Sequence, residues 1–161
     1  MKKITHIVFD HDGTLVNTAK IPSFAYEGIE DLLKFLLENG VLLYVWTARS
    51  KESARRILDE VKLLKYFEAI CGGYDALSKP SPSGIEYLVP GTSPENVVVI
   101  GDSLGDIIGG HKFGATALGA MWAHGNNYGY DGFKEHGAEE SFETVASLKK
   151  FIESYIEVKN V

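Results

Sequence analysis

Cysteine is nearly missing from this chain, and that scarcity excludes a good deal. Cys71 is the single cysteine, so the chain can form no internal disulfide and no cysteine zinc cluster, and it fits a reducing compartment. Its setting, Phe67-Glu68-Ala69-Ile70-Cys71, is that of a buried strand thiol rather than a nucleophile. Long apolar runs are missing too. No stretch approaches the roughly 18 consecutive apolar residues of a membrane span. The opening Met1-Lys2-Lys3 leads into an apolar run too short for a secretory signal, broken at His6 and stopped at Asp10. Positive charge is in short supply: 16 Lys and Arg face 22 Asp and Glu, a net charge of -6. Nucleic-acid and anionic-membrane surfaces rest on clustered Lys and Arg, so neither partner is expected. An anionic ligand would need a local positive site, supplied by a bound metal and one or two placed cations. Repeats, low-complexity tracts and linkers are also absent. The reading is one soluble, cytoplasmic domain over residues 1–161.

What is present is an ordinary globular composition, 45% hydrophobic and 24% charged, in a chain long enough for one sizeable core. Strand and helix signals alternate along it. Apolar strand runs are expected at 4–9, 41–46, 69–71, 96–100 and 116–122. Helical spacing is expected at 26–38, 50–64, 83–88, 104–113 and 143–155, with Ser50 as a cap and Asn39-Gly40 and Gly114 as stops. Strands separated by helices of this length indicate βαβ crossovers, hence an α/β fold: a three-layer α/β/α, Rossmann-like parallel sheet.

The most informative segment is Asp10-His11-Asp12-Gly13-Thr14, which closes the first apolar run. A buried strand ending in two acids delivers charge to the carboxyl edge of the sheet, where open α/β sheets bind ligands. Other strands or their following loops end in reactive residues as well: Thr47, Lys79, and Asp102 with Asp106. In a parallel sheet these ends share one edge. Each has a plain reading alone: Thr47 as a strand end or helix cap, Lys79 in an exposed Pro-rich loop, the acids near 102 at a helix start. Together they suit phosphoryl transfer to a carboxylate. Asp10 would attack and form an aspartyl-phosphate. Asp12 would protonate the leaving oxygen and then deprotonate water. Thr47 would donate to a phosphate oxygen and Lys79 would neutralise developing charge. Asp102, with Asp10 and the Asp12 main-chain carbonyl, supplies oxygen ligands suited to Mg²⁺.

Four ordered motifs, Asp10-His11-Asp12-Gly13-Thr14-Leu15, Val45-Trp46-Thr47, Lys79-Pro80 and Gly101-Asp102-Ser103-Leu104-Gly105-Asp106, resemble those of the haloacid dehalogenase superfamily of hydrolases. The segment from Gly110 into Trp122 is similar to its phosphoglycolate phosphatase-like branch. The resemblance implies the nucleophile and acid/base roles already given for Asp10 and Asp12. It also implies that Asp106 supports the metal or Lys79 from behind the direct ligands, so Asp10, Asp12, Asp102 and Asp106 form the expected metal set. An acid at position 12 fits a phosphatase rather than a dehalogenase, because a halide leaves without a proton.

The chain departs from that pattern in two ways. His11 replaces the usual apolar residue, and is expected to pack with a hydrogen bond while pointing away from Asp10 and Asp12. No interval is long enough for an inserted cap domain, either after the first motif or between Thr47 and Lys79. The site is therefore expected to be open, to a bulky phosphoester or to closure by a neighbouring subunit in a homo-oligomer. Residues 17–22 and 124–130, Asn126 among them, are candidate substrate contacts, as is Arg49. A phosphotransferase, or a regulatory or binding protein on the same core, are the rival readings.

Overall fold

The computed structural model describes residues 3–123 and 129–156. Six strands form one parallel sheet: β1 (His6–Phe9), β4 (Leu42–Trp46), β5 (Ala69–Cys71), β6 (Val97–Gly101), β7 (Thr116–Ala120) and β8 (Ala138–Phe142), in the order β5-β4-β1-β6-β7-β8. A two-stranded antiparallel hairpin, β2 (Val16–Asn17) and β3 (Phe24–Ala25), stands apart as a flap. The helices are α1 (Ile29–Glu38), α2 (Lys51–Glu60), α3 (Ser83–Leu88), α4 (Leu104–Phe113), α5 (Gly129–Glu135) and α6 (Val145–Glu153).

Residue alternation on β1 explains the three layers. Ile7 and Phe9 face a core shared with Leu32, Leu33 and Leu36 of α1, Leu58 of α2 and Leu148 of α6. Val8 faces the opposite core, with Trp46, Val99 and Ile85 and Leu88 of α3. All three β1 residues are fully buried, as a strand sandwiched between helix layers requires. Amphipathic helices supply the covering faces: α1 buries Ile29, Leu32, Leu33 and Leu36 and exposes its charged side.

Several boundaries differ from the sequence expectation. The helix after Ser50 ends at Glu60, and a short 3-10 turn at Leu64–Tyr66 takes over before β5. Ser50 does cap α2, accepting from the Ser53 amide. The strand expected over 116–122 stops at Ala120, and α1 and α6 are shorter than expected. β8, α5 and the pairing of β2 with β3 were not anticipated. β8 carries two exposed acids, Glu139 and Glu140, at the sheet edge. That polarity protects an edge strand, and it erases the apolar signal by which a strand is read.

Between Asp12 and α1 the chain holds only the hairpin, and between Thr47 and Lys79 only α2, the 3-10 turn and β5. Register then aligns the strand ends. Phe9 sits opposite Val45 and Ile100, and Trp46 opposite Cys71. The residues immediately after β1, β4 and β6 are Asp10, Thr47 and Asp102.

Candidate active site

Lys79 is the hub of the carboxyl edge. Its Nζ donates to Asp10 Oδ1 at 3.0 Å, to the main-chain oxygen of Trp46 at 2.8 Å and to Asp106 Oδ1 at 2.5 Å. It also lies 4.5 Å from the centre of the Trp46 ring, a favourable place for a cation. Burial alone would lower the lysine's pKa, but Asp106 and Asp10 outweigh it and hold the ammonium charged well above its ordinary range.

Asp106 reaches this hub from the first turn of α4. It accepts from Ser103 twice, from the amide at 3.2 Å and from Oγ at 2.9 Å. The arrangement is one arm of a capping box, and the Ser-x-x-Asp spacing announces it in the sequence. Gly101 makes room. A Cβ there would fall 2.2 Å from the Asp106 carboxyl carbon, so only glycine lets the acid lie across the end of β6.

Oxygen atoms of Asp10, Asp102 and Asp106 lie within 4.8 Å of one another. Burial pushes the Asp10 carboxyl up to about 7, Lys79 opposing it, and pushes Asp106 up to about 6. Asp102 is raised by burial as well. Three carboxylates this close repel one another in a low-dielectric edge, and a hard divalent cation relieves that repulsion. The all-oxygen donor set therefore fits such an ion.

Asp12 has partners of its own. Its carboxylate accepts from Arg49 through both oxygens, Nε to Oδ2 at 3.1 Å and Nη2 to Oδ1 at 2.7 Å, and from Thr18 Oγ1. Burial alone would raise its pKa. The nearby His11, with Arg49 and Thr18, outweighs burial and holds the carboxyl far below its usual range. Thr47, almost wholly buried, takes the Arg49 amide on its Oγ1 at 3.1 Å, which leaves its hydroxyl proton for another acceptor. The cavity between these groups, about 330 Å³, is lined by Asp10, Asp12, Thr47, Lys79 and Asp102, with Asn17, Thr18 and Ala19 of the flap.

Asp10, Asp12, Thr47, Lys79, Asp102 and Asp106, read from separate segments, thus meet at one edge. Arg49 lies beside them, engaged with Asp12. Asn126 lies outside the described residues. His11 needs correction. It is fully buried and its Nε2 lies 3.2 Å from the Ala54 carbonyl, so the packing role holds. A carbonyl only accepts, so Nε2 carries a proton. The ring does not turn away from Asp12, however: Nδ1 sits 3.5 Å from Asp12 Oδ2. Contacts made by Thr18, by Thr14 Oγ1 to Asp102 Oδ1 at 3.3 Å and by the Trp46 carbonyl had no local sequence signal.

A family model described as haloacid dehalogenase-like hydrolase matches residues 23–120, more than half of the chain and including Thr47, Lys79, Asp102 and Asp106. Phosphoglycolate phosphatase 1 of Pseudomonas aeruginosa is 34% identical over 108 residues, 65% of this chain and 39% of its own length. A 5'-nucleotidase of the same organism is 27% identical over 133 residues, 81% of this chain and 59% of its own. The chain thus spans roughly two fifths to three fifths of the length of these curated relatives. Among solved structures, a protein described as a predicted phosphatase from Clostridium acetobutylicum superposes with a TM-score of 0.84 at 22% identity, covering 95% of this chain and all of that one. That likeness establishes the fold.

Proposed function

Because the chain belongs to the haloacid dehalogenase-like hydrolase family, we propose that it is a Mg²⁺-dependent phosphomonoesterase working through a phosphorylated Asp10. The observation that carries the reading is the Lys79 ammonium held at once by Asp10, Asp106 and the Trp46 carbonyl, beside Asp102 and Thr47. A nucleophilic carboxylate, a fixed cation and a hydroxyl donor converge where a phosphoryl group would sit.

In the first half-reaction a carboxylate oxygen of Asp10 bonds to phosphorus, and the bond from phosphorus to the leaving alcohol oxygen breaks. That oxygen takes a proton from Asp12. In the second half, water attacks the same phosphorus, Asp12 takes the proton back, and the Asp10–phosphorus bond breaks to release phosphate. Lys79 and Thr47 steady the phosphoryl oxygens throughout. Arg49 and Thr18 favour the ionised form of Asp12, which suits the second half. The acid role in the first half requires Arg49 to leave the carboxylate. Asp10, Asp102, Asp106 and the Asp12 main-chain carbonyl are the groups that would hold Mg²⁺, which when bound neutralises phosphoryl charge.

Residues 1–161 act in this reading as one catalytic unit, and among the described residues the flap lines one side of its site. Substrates are small phosphomonoesters, the class to which the names of the phosphoglycolate phosphatase and 5'-nucleotidase relatives belong. The test is phosphate release across a phosphoester panel with and without Mg²⁺, comparing wild type with Asp10→Asn. Release that needs both the ion and Asp10, with the variant down by about 10³-fold or more, is the expected result. An Asp10→Asn enzyme as active as wild type would end the proposal.

A further inference from the structure

A second and larger groove, about 810 Å³, opens beside the catalytic cavity. Asn17 and Tyr26 line both spaces, so the two are neighbours across the flap. Gly28 and Val145 bring the starts of α1 and α6 together beneath the groove. Gly28 holds φ at +85°, and a Cβ there would meet Val145 Cγ1 at 3.3 Å.

Three rings line the groove: Phe24, Tyr26 and Trp122. Phe24 is 44% exposed, a large apolar face left toward solvent, and it meets Tyr26 edge-on at 6.4 Å. Trp122 is held in place by its Nε1, which donates to the Thr14 carbonyl at 3.0 Å, while Thr14 Oγ1 donates to Asp102. One aromatic wall is therefore tied through a single residue to the catalytic loop. The charged lining is acidic. Glu27, Asp31 and Glu143 outnumber Lys149 along it, and Lys149 lies 4.0 Å from Glu153 and over the Phe35 ring. Such a groove repels a second anionic group, takes flat uncharged rings on its aromatic faces, and offers carboxylate acceptors to hydroxyls.

We propose that this groove is the leaving-group subsite, and that it selects phosphomonoesters whose alcohol carries an uncharged aromatic ring with hydroxyls, a nucleoside monophosphate being the matching chemistry. The assignment rests on the phosphatase reading above. A substrate as small as phosphoglycolate fits in the catalytic cavity alone and leaves the groove empty. A ring-bearing alcohol fills it, and each of the two spaces, about 330 and about 810 Å³, is of the size ligand sites usually have, roughly 300–1,000 Å³.

The test compares thymidine 5'-monophosphate, glycerol phosphate and 2-phosphoglycolate as substrates, with Mg²⁺ present, in wild type, Phe24→Ala and Glu143→Lys. Binding of free thymidine is followed separately by equilibrium dialysis. Wild type should favour the nucleotide over glycerol phosphate in kcat/KM. Phe24→Ala should lower that ratio by about tenfold, the scale of one base–aromatic stack, and weaken thymidine binding similarly. Glu143→Lys, in the turn between β8 and α6, should shift preference toward 2-phosphoglycolate. Thymidine binding that Phe24→Ala weakens, without turnover of any ester, would remove the phosphatase reading and leave the ring site standing. Turnover that ignores the ring, with a ratio unmoved by Phe24→Ala, would overturn the subsite and leave the phosphatase reading intact. Absence of both turnover and thymidine binding would overturn both.

Discussion

Lys79 shows how little a residue's local setting reveals. In sequence it sits in Ser78-Lys79-Pro80-Ser81-Pro82, the composition of an exposed loop, yet its side chain is only 13% exposed and bonded to two acids. Asp10, Asp12 and Asp102 were legible because they close strands or follow them. The identity of their partners was not. Arg49 is a candidate substrate contact by sequence, and the fold also pairs it with Asp12, which no local pattern announces. His11 was expected to turn away, and its ring lies against the same carboxylate. At this scale the sharpest test is Gly101→Ala. The new methyl would displace Asp106 from Lys79 and Ser103. Loss of about 1–3 kcal/mol in urea unfolding, the usual overpacking cost, should accompany a fall in phosphate release. Wild-type activity in this variant would mean that Asp106 need not lie there.

Among the elements, β1 carries the most. It is the strand between β4 and β6, it is buried on both faces, and it presents Asp10. Phe9→Ala should cost about 3–5 kcal/mol, as truncation of a buried aromatic does, measured as a lowered urea midpoint with an unchanged slope. A loss below ~1 kcal/mol would show that the helices on that face repack without it. Periodicity found β1, β4, β6 and β7 because fully buried parallel strands are continuous apolar runs. It missed β8, whose exposed acids suit an edge, and the β2–β3 hairpin, whose pairing spans two residues on each strand. Strands that short have no period to read.

For the whole molecule, the acid cluster couples stability to pH and to metal. Without a cation, Asp10 and Asp106 are pushed up to about 7 and about 6, against roughly 3.9 in an unfolded chain. The folded state then holds more protons than the unfolded one between about pH 4 and pH 7. The stability tied to the neutral carboxyls is present at the acid end of that window and is lost as pH rises through it. Asp12, held far below its usual range, and Lys79, held above its own, act outside that window. Mg²⁺ requires ionised carboxylates, so it competes with these protons. The rise in Tm on adding saturating Mg²⁺ should be large at pH 8, of the order of 2–3 kcal/mol in stability at about 100 times Kd, and should shrink toward pH 5. An equal rise at both pH values would mean that the ion binds elsewhere.

The sequence by itself determined the α/β class, the alternation of elements, that no disulfide can form within these residues, and which residues stand at strand ends. Those properties are local: an apolar run, a helical period, a lone cysteine and an acid after a strand are each visible within a dozen residues. Only the tertiary structure decided that Lys79 joins Asp10 to Asp106, that Arg49 clamps Asp12, and that an aromatic groove adjoins the cavity. Each depends on register and helix packing between segments up to 108 residues apart, as from Trp122 to Thr14. Such distances between side chains are set by how the layers close on one core, which no short window of sequence contains.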